Sequence, residues 1–196
     1  MRVVGGALAG RRLAGPSGGE AEAARLRPTS DKIREALFNI LTHGDHPPLQ
    51  GARILDLFAG SGALAIEALS RGAESAVLVD DHPSARALIR RNLEELTLTG
   101  VAKVYRRDAR RLGPHRGDAR FTHLFVDPPY GRGMGEIAIA GALAGGWLAP
   151  EARVILEEGA SAALGDAPDG LTRLDHRRYG DTQILIFGRD TAADPP

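Results

Sequence analysis

The sequence predicts an α/β protein: a doubly wound, mostly parallel seven-stranded sheet with an antiparallel C-terminal hairpin and a small N-terminal β-hairpin arm. Three observations predict it. From Arg53 onward, short apolar runs alternate with helical patterns, the signature of strands joined by crossover helices. Those runs are continuously apolar, as strands buried on both faces are. A glycine turn, Asp56-Leu57-Phe58-Ala59-Gly60-Ser61-Gly62, joins the first run to a helix and places backbone N–H groups at a helix N-terminus, where a ligand can sit.

In chain order, residues 1–30 are rich in Gly, Ala and Arg. Arg2-Val3-Val4 and Arg11-Arg12-Leu13 flank a glycine-containing turn and read as two sides of a hairpin. Gly15-Pro16-Ser17-Gly18-Gly19 reads as a loop. The segment is either a loosely attached tail or a basic arm that touches phosphate. Arg27-Pro28-Thr29-Ser30-Asp31 then leads into a helix capped by Ser30 or Thr29, with Ile33, Leu37, Phe38 and Leu41 on its apolar face. His43 to Gly51 is a connector with two prolines. Arg53-Ile54-Leu55 is a strand ending at Asp56, and Ala63 to Leu69 is a helix with apolar residues three and four apart.

Ser75 to Val79 is a strand ending at Asp80, and Ser84 to Leu98 is a helix carrying Leu88, Ile89, Leu93 and Leu96. The strand from Val101 to Arg107 ends at Asp108, and that from Phe121 to Val126 ends at Asp127. Glu136 to Leu148 is helical, weakened by glycines. Arg153 to Leu156 is a strand followed by Glu157 and Glu158. Thr172 to Arg178 and Thr182 to Gly188 pair through a turn at Tyr179-Gly180-Asp181, which leaves no room for a helix and makes them antiparallel. The organisation is therefore a basic arm over 1–30, one α/β domain over 31–189 and a disordered tail over 190–196.

The chain's 196 residues suffice for one domain with a full core, and 43% hydrophobic with 26% charged residues is ordinary for a globular protein. With no cysteine, disulfides, thiolate nucleophiles and thiolate metal sites are excluded. No apolar run approaches the ~20 residues that span a bilayer, and Met1-Arg2-Val3-Val4-Gly5-Gly6 does not resemble a signal peptide, so a cytoplasmic location is expected. His43 and His46 have no other ligands nearby in the sequence, so no metal site is expected. Arg86, Arg90 and Arg91 read as a solvated helix face, and Trp147 as core. Net charge is zero, but residues 1–34 hold seven basic groups (Arg2, Arg11, Arg12, Arg25, Arg27, Lys32, Arg34) against three acidic ones (Glu20, Glu22, Asp31), so that segment is +4 and the remainder −4. A neutral protein with a basic end suits local polyanion binding.

Asp56, Asp80, Asp108 and Asp127 all stand at strand ends, which share the ligand-binding edge of a doubly wound sheet. Gly60 and Gly62 let a ligand approach the backbone. Asp80, roughly 20 residues beyond the glycine turn, is where an acid accepts hydrogen bonds from ribose hydroxyls. Asp108 is placed for an adenine amino group, and Asp56 for an amine or an ordered water. Clustered acids would repel a pyrophosphate and suit an adenosine bearing a cationic amino-acid group. Asp127-Pro128-Pro129-Tyr130 is the more specific signal. Its prolines fix φ, remove N–H donors and present carbonyl oxygens. The Asp127 carboxylate and a Pro carbonyl can accept both hydrogens of one planar amine, raising electron density on its nitrogen and aiming the lone pair at an electrophilic methyl group. Tyr130 offers a ring on which a base stacks.

With both motifs in hand, the chain resembles the class I, Rossmann-like S-adenosylmethionine-dependent methyltransferases that methylate amines, and more closely the RsmD family of 16S ribosomal RNA guanine-N2 methyltransferases. The resemblance rests on Arg2 to Gly6 with Gly10-Arg11-Arg12-Leu13, on Arg27 to Leu41, on Asp56 to Gly62 with Glu67-Ala68-Leu69-Ser70-Arg71-Gly72-Ala73, and on Asp127 to Tyr130. It implies that Asp56, Phe58, Ala59, Gly60, Ser61 and Gly62 line the cofactor, that Asp80 or Asp81 holds its ribose, and that Asp108 and Ala109 meet its adenine. The Arg27-Pro28-Thr29 region would close over the cofactor, with Arg27 and Thr29 touching it. Asp127, Pro128, Pro129 and Tyr130 would form the target-base site, while Arg2, Arg11 and Arg12 grip RNA. It also implies a monomer acting on 16S rRNA within a small-subunit particle. Two other readings stay open: an adenine-N6 amino-methylase on DNA or RNA, and a non-catalytic RNA-binding assembly factor on the same fold.

Overall fold

A computed structural model describes residues 1–15, 30–163 and 165–189. Seven strands form one sheet: β1 Arg53–Leu57, β2 Ser75–Val79, β3 Ala102–Tyr105, β4 Phe121–Val126, β5 Leu148–Gly159, β6 Leu171–Tyr179 and β7 Thr182–Arg189. Their order is 3-2-1-4-5-7-6. Strands β1 to β5 pair in parallel, whereas β7 pairs antiparallel with both β5 and β6. The order reverses at β1, so a crevice opens between the carboxyl ends of β1 and β4.

Alternate residues of each strand feed two cores. Ile54, Leu78, Phe125, Ile155 and Ile186 face one side with α1 (Asp31–His43), α2 (Ala63–Ser70) and α3 (Pro83–Glu95). Leu55, Val77, Leu124, Val154 and Phe187 face the other, with α4 (Met134–Ala144) and a short 3-10 turn, Ala109–Arg111. Burial on both faces explains why the strands are continuously apolar. Helix α1 starts where Ser30 Oγ accepts the Ile33 N–H at 3.2 Å, so Ser30 is the cap.

Several boundaries differ from the sequence reading. Strand β3 stops at Tyr105, so Asp108 caps the 3-10 turn instead of ending a strand. Asp56 lies inside β1, which continues to Leu57. Helix α4 ends at Ala144, and Trp147 then fills the second core, its indole N–H donating to Gly113 O at 2.7 Å. Strand β5 runs on through Glu157 and Glu158, because both carboxylates find donors inside the fold. Arg86 is buried and donates to the Asp80 carbonyl at 3.2 Å, so the expected solvated face is partly a packed one.

The N-terminal hairpin is reduced to one antiparallel bridge, Arg2 to Arg12, closed by a 3-10 turn at Gly6–Leu8. It is not a loose tail: Val3 and Leu13 enter the first core. Glu67, fully buried on α2, accepts the Val4 N–H at 2.8 Å and pairs with Arg71 at 2.8 Å and with the buried Arg34 at 3.6 Å. Ser70 Oγ accepts the Leu8 N–H at 2.9 Å. Asn92 on α3 accepts the Ala14 N–H at 2.7 Å and donates to the Ser61 carbonyl at 2.9 Å. These bonds tie the arm directly to the glycine turn.

Candidate functional site

A cavity of about 540 Å³ opens at the carboxyl edge of β1, β2 and β4, within the range of small-ligand pockets. It brings the two sequence motifs together: Asp56, Phe58, Ala59, Gly60 and Ser61 line one part, and Asp127, Pro128, Pro129 and Tyr130 another. Asp80, Asp81, Asp108 and Ala109 line it as well.

The glycine turn owes its shape to left-handed backbone. Phe58 has φ 60° and Gly60 φ 56°; for Phe58 this is a strained conformation. Gly62, at φ 79°, caps α2 and does not line the cavity. A Cβ there would come within 2.9 Å of Leu78 Cδ2. Gly62 therefore packs the helix closely on the sheet.

The aspartates have distinct surroundings. Asp56 is buried, and its Oδ2 accepts the Ala65 N–H of α2 at 3.2 Å. Burial raises its pKa to about 7; the Ala65 bond opposes the rise and the nearby Asp80 charge adds to it. Asp80 follows β2 and bridges two backbone donors, with Oδ2 accepting from Gly60 N at 3.0 Å and Oδ1 from His82 N at 2.9 Å. Asp81 is exposed at the rim. The Asp108 carboxylate is held by Arg110 in a fork, at 2.9 and 2.8 Å. These bonds pull its pKa below the ordinary carboxylate value.

Asp127 follows β4, and the Pro128 side chain turns inward while Pro129 is exposed. The Tyr130 hydroxyl donates to Glu157 Oε1 at 2.7 Å and lies 3.4 Å from Thr182 Oγ1. Its ring lies against Gly159, where a Cβ would sit 3.1 Å from Tyr130 Cδ2. Burial and the neighbouring Glu157 and Asp127 charges push the phenol well above its usual pKa, so it stays neutral. Next to it, Glu158 Oε1 accepts from Gly131 N at 2.9 Å and from Gly159 N at 2.7 Å. Two adjacent acids of β5 thus hold the proline motif. Sequence reading noticed Glu157 and Glu158 without giving them a task; the signal was a pair of acids extending an apolar strand. It also missed Arg110, Arg132 and Met134, which line the cavity from loops.

Five aspartates and two arginines line the space, and one of the arginines is neutralised by Asp108. The acceptor-rich lining therefore fits a ligand with a ribose diol and a cationic group, as S-adenosylmethionine has, and opposes a phosphate-rich one. Arg27 and Thr29, expected over the cofactor, lie outside the described residues, as do residues 16–19 of the glycine-rich loop and the tail over 190–196. Of the RNA candidates, Arg2 pairs with Asp31 at 3.8 Å, Arg11 donates to the Glu95 carbonyl at 3.0 Å, and Arg12 is exposed. Among the described residues no group of three His, Cys, Asp or Glu is arranged for a metal ion, and no helix is long and apolar enough to cross a membrane.

The model of a family described as conserved hypothetical protein 95 matches residues 1–188. Ribosomal RNA small subunit methyltransferase D of Escherichia coli is 38% identical over 194 residues, covering 99% of this chain and 92% of the relative. A solved Escherichia coli structure, yhhF, superposes with TM-score 0.80 at 34% identity over 97% of this chain and 98% of that one. Magnesium protoporphyrin IX methyltransferase (ChlM) from Synechocystis, solved with bound SAM, shares the fold at TM-score 0.63 and 16% identity over 89% of this chain and 93% of that chain.

Proposed function

The chain belongs to the conserved hypothetical protein 95 family, and from that membership we propose that it methylates small-subunit (16S) ribosomal RNA, at the exocyclic N2 amine of a guanine, with S-adenosylmethionine as methyl donor. It is an enzyme with the class I methyltransferase fold. One observation carries the reading: the glycine turn and Asp127-Pro128-Pro129-Tyr130 line the same cavity.

S-adenosylmethionine, when bound, supplies an electrophilic methyl group on a sulfonium. The residues of this chain bind and orient. Asp80, braced by Gly60 N and His82 N, accepts from the ribose hydroxyls, with Asp81 beside it. Asp56 lies within reach of the cationic amino-acid portion, and Ala109 with Asp108 flanks the adenine end. The Asp127 carboxylate and the Pro128 carbonyl accept the two N–H groups of the target amine. This holds the amine planar to the motif and directs its lone pair towards the donor. The nitrogen gains a methyl group and loses a proton, which passes towards Asp127. Tyr130, fixed by Glu157 and backed by Gly159, presents its ring to the base.

The basic arm at 1–30 grips RNA, the α/β domain at 31–189 does the chemistry, and the enzyme works as a cytoplasmic monomer on a small-subunit particle. Mass spectrometry of small-subunit RNA from a deletion strain tests the assignment. Loss of one N2-methylguanosine, restored by the wild-type gene and not by Asp127→Ala, is expected. Loss of an N6-methyladenosine would replace the guanine reading with the adenine one. No lost methyl group, with no binding of S-adenosylmethionine to the pure protein, would leave the non-catalytic factor. Purified Asp127→Ala should keep its cofactor affinity within about threefold; equal loss of binding and transfer would overturn the assignment of Asp127.

A further inference from the structure

The arm is not the only basic part of the chain. Between Tyr105 and Arg120 stand six arginines (Arg106, Arg107, Arg110, Arg111, Arg116, Arg120) against two aspartates (Asp108, Asp118), a net of +4 in 16 residues. Residues 1–34 are also +4, so the other 146 residues carry −8. All six arginines are exposed. Three have structural contacts. Arg107 donates to the Leu112 carbonyl at 2.6 Å and lies over Trp147 at 5.8 Å, Arg110 holds Asp108, and the Arg120 carbonyl anchors Arg53. Arg106, Arg111 and Arg116 form no ion pair within 4.0 Å among the described residues.

Position gives this cluster its meaning. Ala109 and Leu112 anchor the segment in the second core, with α4 and Trp147. Val3 and Leu13 anchor the arm in the first core, on the opposite face of the sheet. The cavity lies at the sheet edge between them, and Asp108, Ala109 and Arg110 belong to its wall. A net positive surface that begins at the rim of an acid-lined cavity draws a polyanion to the mouth and keeps its phosphates off the floor.

We propose that the Arg106–Arg120 segment is a second RNA-backbone surface, so that ribosomal RNA is gripped from both layers of the sheet, by the arm on one side and by Arg106, Arg111 and Arg116 on the other, with the target base entering between. The proposal rests on the ribosomal RNA reading above and adds to it where the strand lies.

The test is rRNA binding by full-length protein over a salt series, using small-subunit ribosomal RNA, isolated and in the small-subunit particle, as the probe. Removing three phosphate contacts by Arg106→Ala, Arg111→Ala and Arg116→Ala together should lower the slope of log affinity against log salt by about 2 to 3. S-adenosylmethionine affinity should stay within twofold, and the matching triple Arg→Lys variant should keep the wild-type slope. Combining the triple with Arg11→Ala and Arg12→Ala should multiply the two losses, as independent sites do. An unchanged slope in the triple alanine variant, with wild-type protein binding and methylating the RNA, overturns the second surface and leaves the enzyme reading intact. Wild-type protein that neither binds nor methylates the RNA, isolated or in the small-subunit particle, overturns both.

Discussion

Asp56 should make cofactor binding depend on pH, and the size of the effect follows from its surroundings. The carboxyl is buried, with a pKa near 7, and accepts one backbone N–H at 3.2 Å. Its folded value lies above its unfolded one, so folding favours the neutral form. That contribution is complete below about pH 4 and is lost as pH rises through 7, up to about 4 kcal/mol in the ligand-free protein. A cation bound beside it favours the ionised form instead. At pH 6 about one Asp56 in eleven is ionised, and at pH 8 about ten in eleven. Binding that requires the charged form is then about tenfold tighter at pH 8 than at pH 6. Calorimetry with S-adenosylmethionine at both pH values, in buffers of different protonation enthalpy, should show this gain together with proton release centred near pH 7. Asp56→Asn should be flat over the same range, apart from titration of the ligand itself. A wild-type protein that follows the Asn variant would refute the argument and assign Asp56 to an ordered water or to the helix terminus alone.

Three further outcomes are expected. Glu157→Leu should raise the KM for RNA roughly tenfold with little change in cofactor affinity, Glu157→Gln should restore most of it, and in a Tyr130→Phe background the Leu change should cost little more; equal losses in both backgrounds would mean that Glu157 does not act through Tyr130. Gly62→Ala combines a left-handed backbone with a Cβ 2.9 Å from Leu78, so it should cost about 2–4 kcal/mol and lower the Tm by roughly 4–16 °C, which thermal melting checks. Glu67→Ala leaves the buried Arg34 without that carboxylate and frees the Val4 N–H, for about 3–5 kcal/mol; limited proteolysis should then cut residues 1–15 faster, and RNA affinity should fall although Glu67 lies in the core.

The legible parts of the fold were those fixed locally. Apolar runs gave β1, β2 and β4 to within two residues, and Gly180 with Asp181 gave the β6–β7 turn. The cavity was foreseen because strand ends and turn residues meet there by topology. What stayed hidden depends on distant partners. Asn92 reads as an ordinary helix residue until Ala14 and Ser61 arrive, 78 and 31 residues away. Arg86 reads as solvated until the Asp80 carbonyl is placed beside it. Gly62 shares its motif with Gly60, and only the fold packs Leu78 against the first and opens the cavity beside the second. Residue type and spacing do not encode such contacts, because tertiary packing overrides local preference.

The same dependence gives one residue type four different surroundings along one edge. Asp56, denied water, is poised to change charge near neutrality. Asp108, forked to Arg110, is locked as an anion. Asp80 spends a lone pair of each oxygen on backbone N–H groups, and so fixes the turn it would share with a ribose. Asp127 follows a strand directly into two prolines, so its backbone is rigid. Exchanging surroundings would therefore exchange roles. Arg110→Ala releases the Asp108 carboxylate and should raise its pKa towards the ordinary value, without moving that of Asp56, which is set by burial. Titration of the two carboxyls by NMR separates these cases, and a joint shift would show that the acids act as one coupled charge instead of four separate devices.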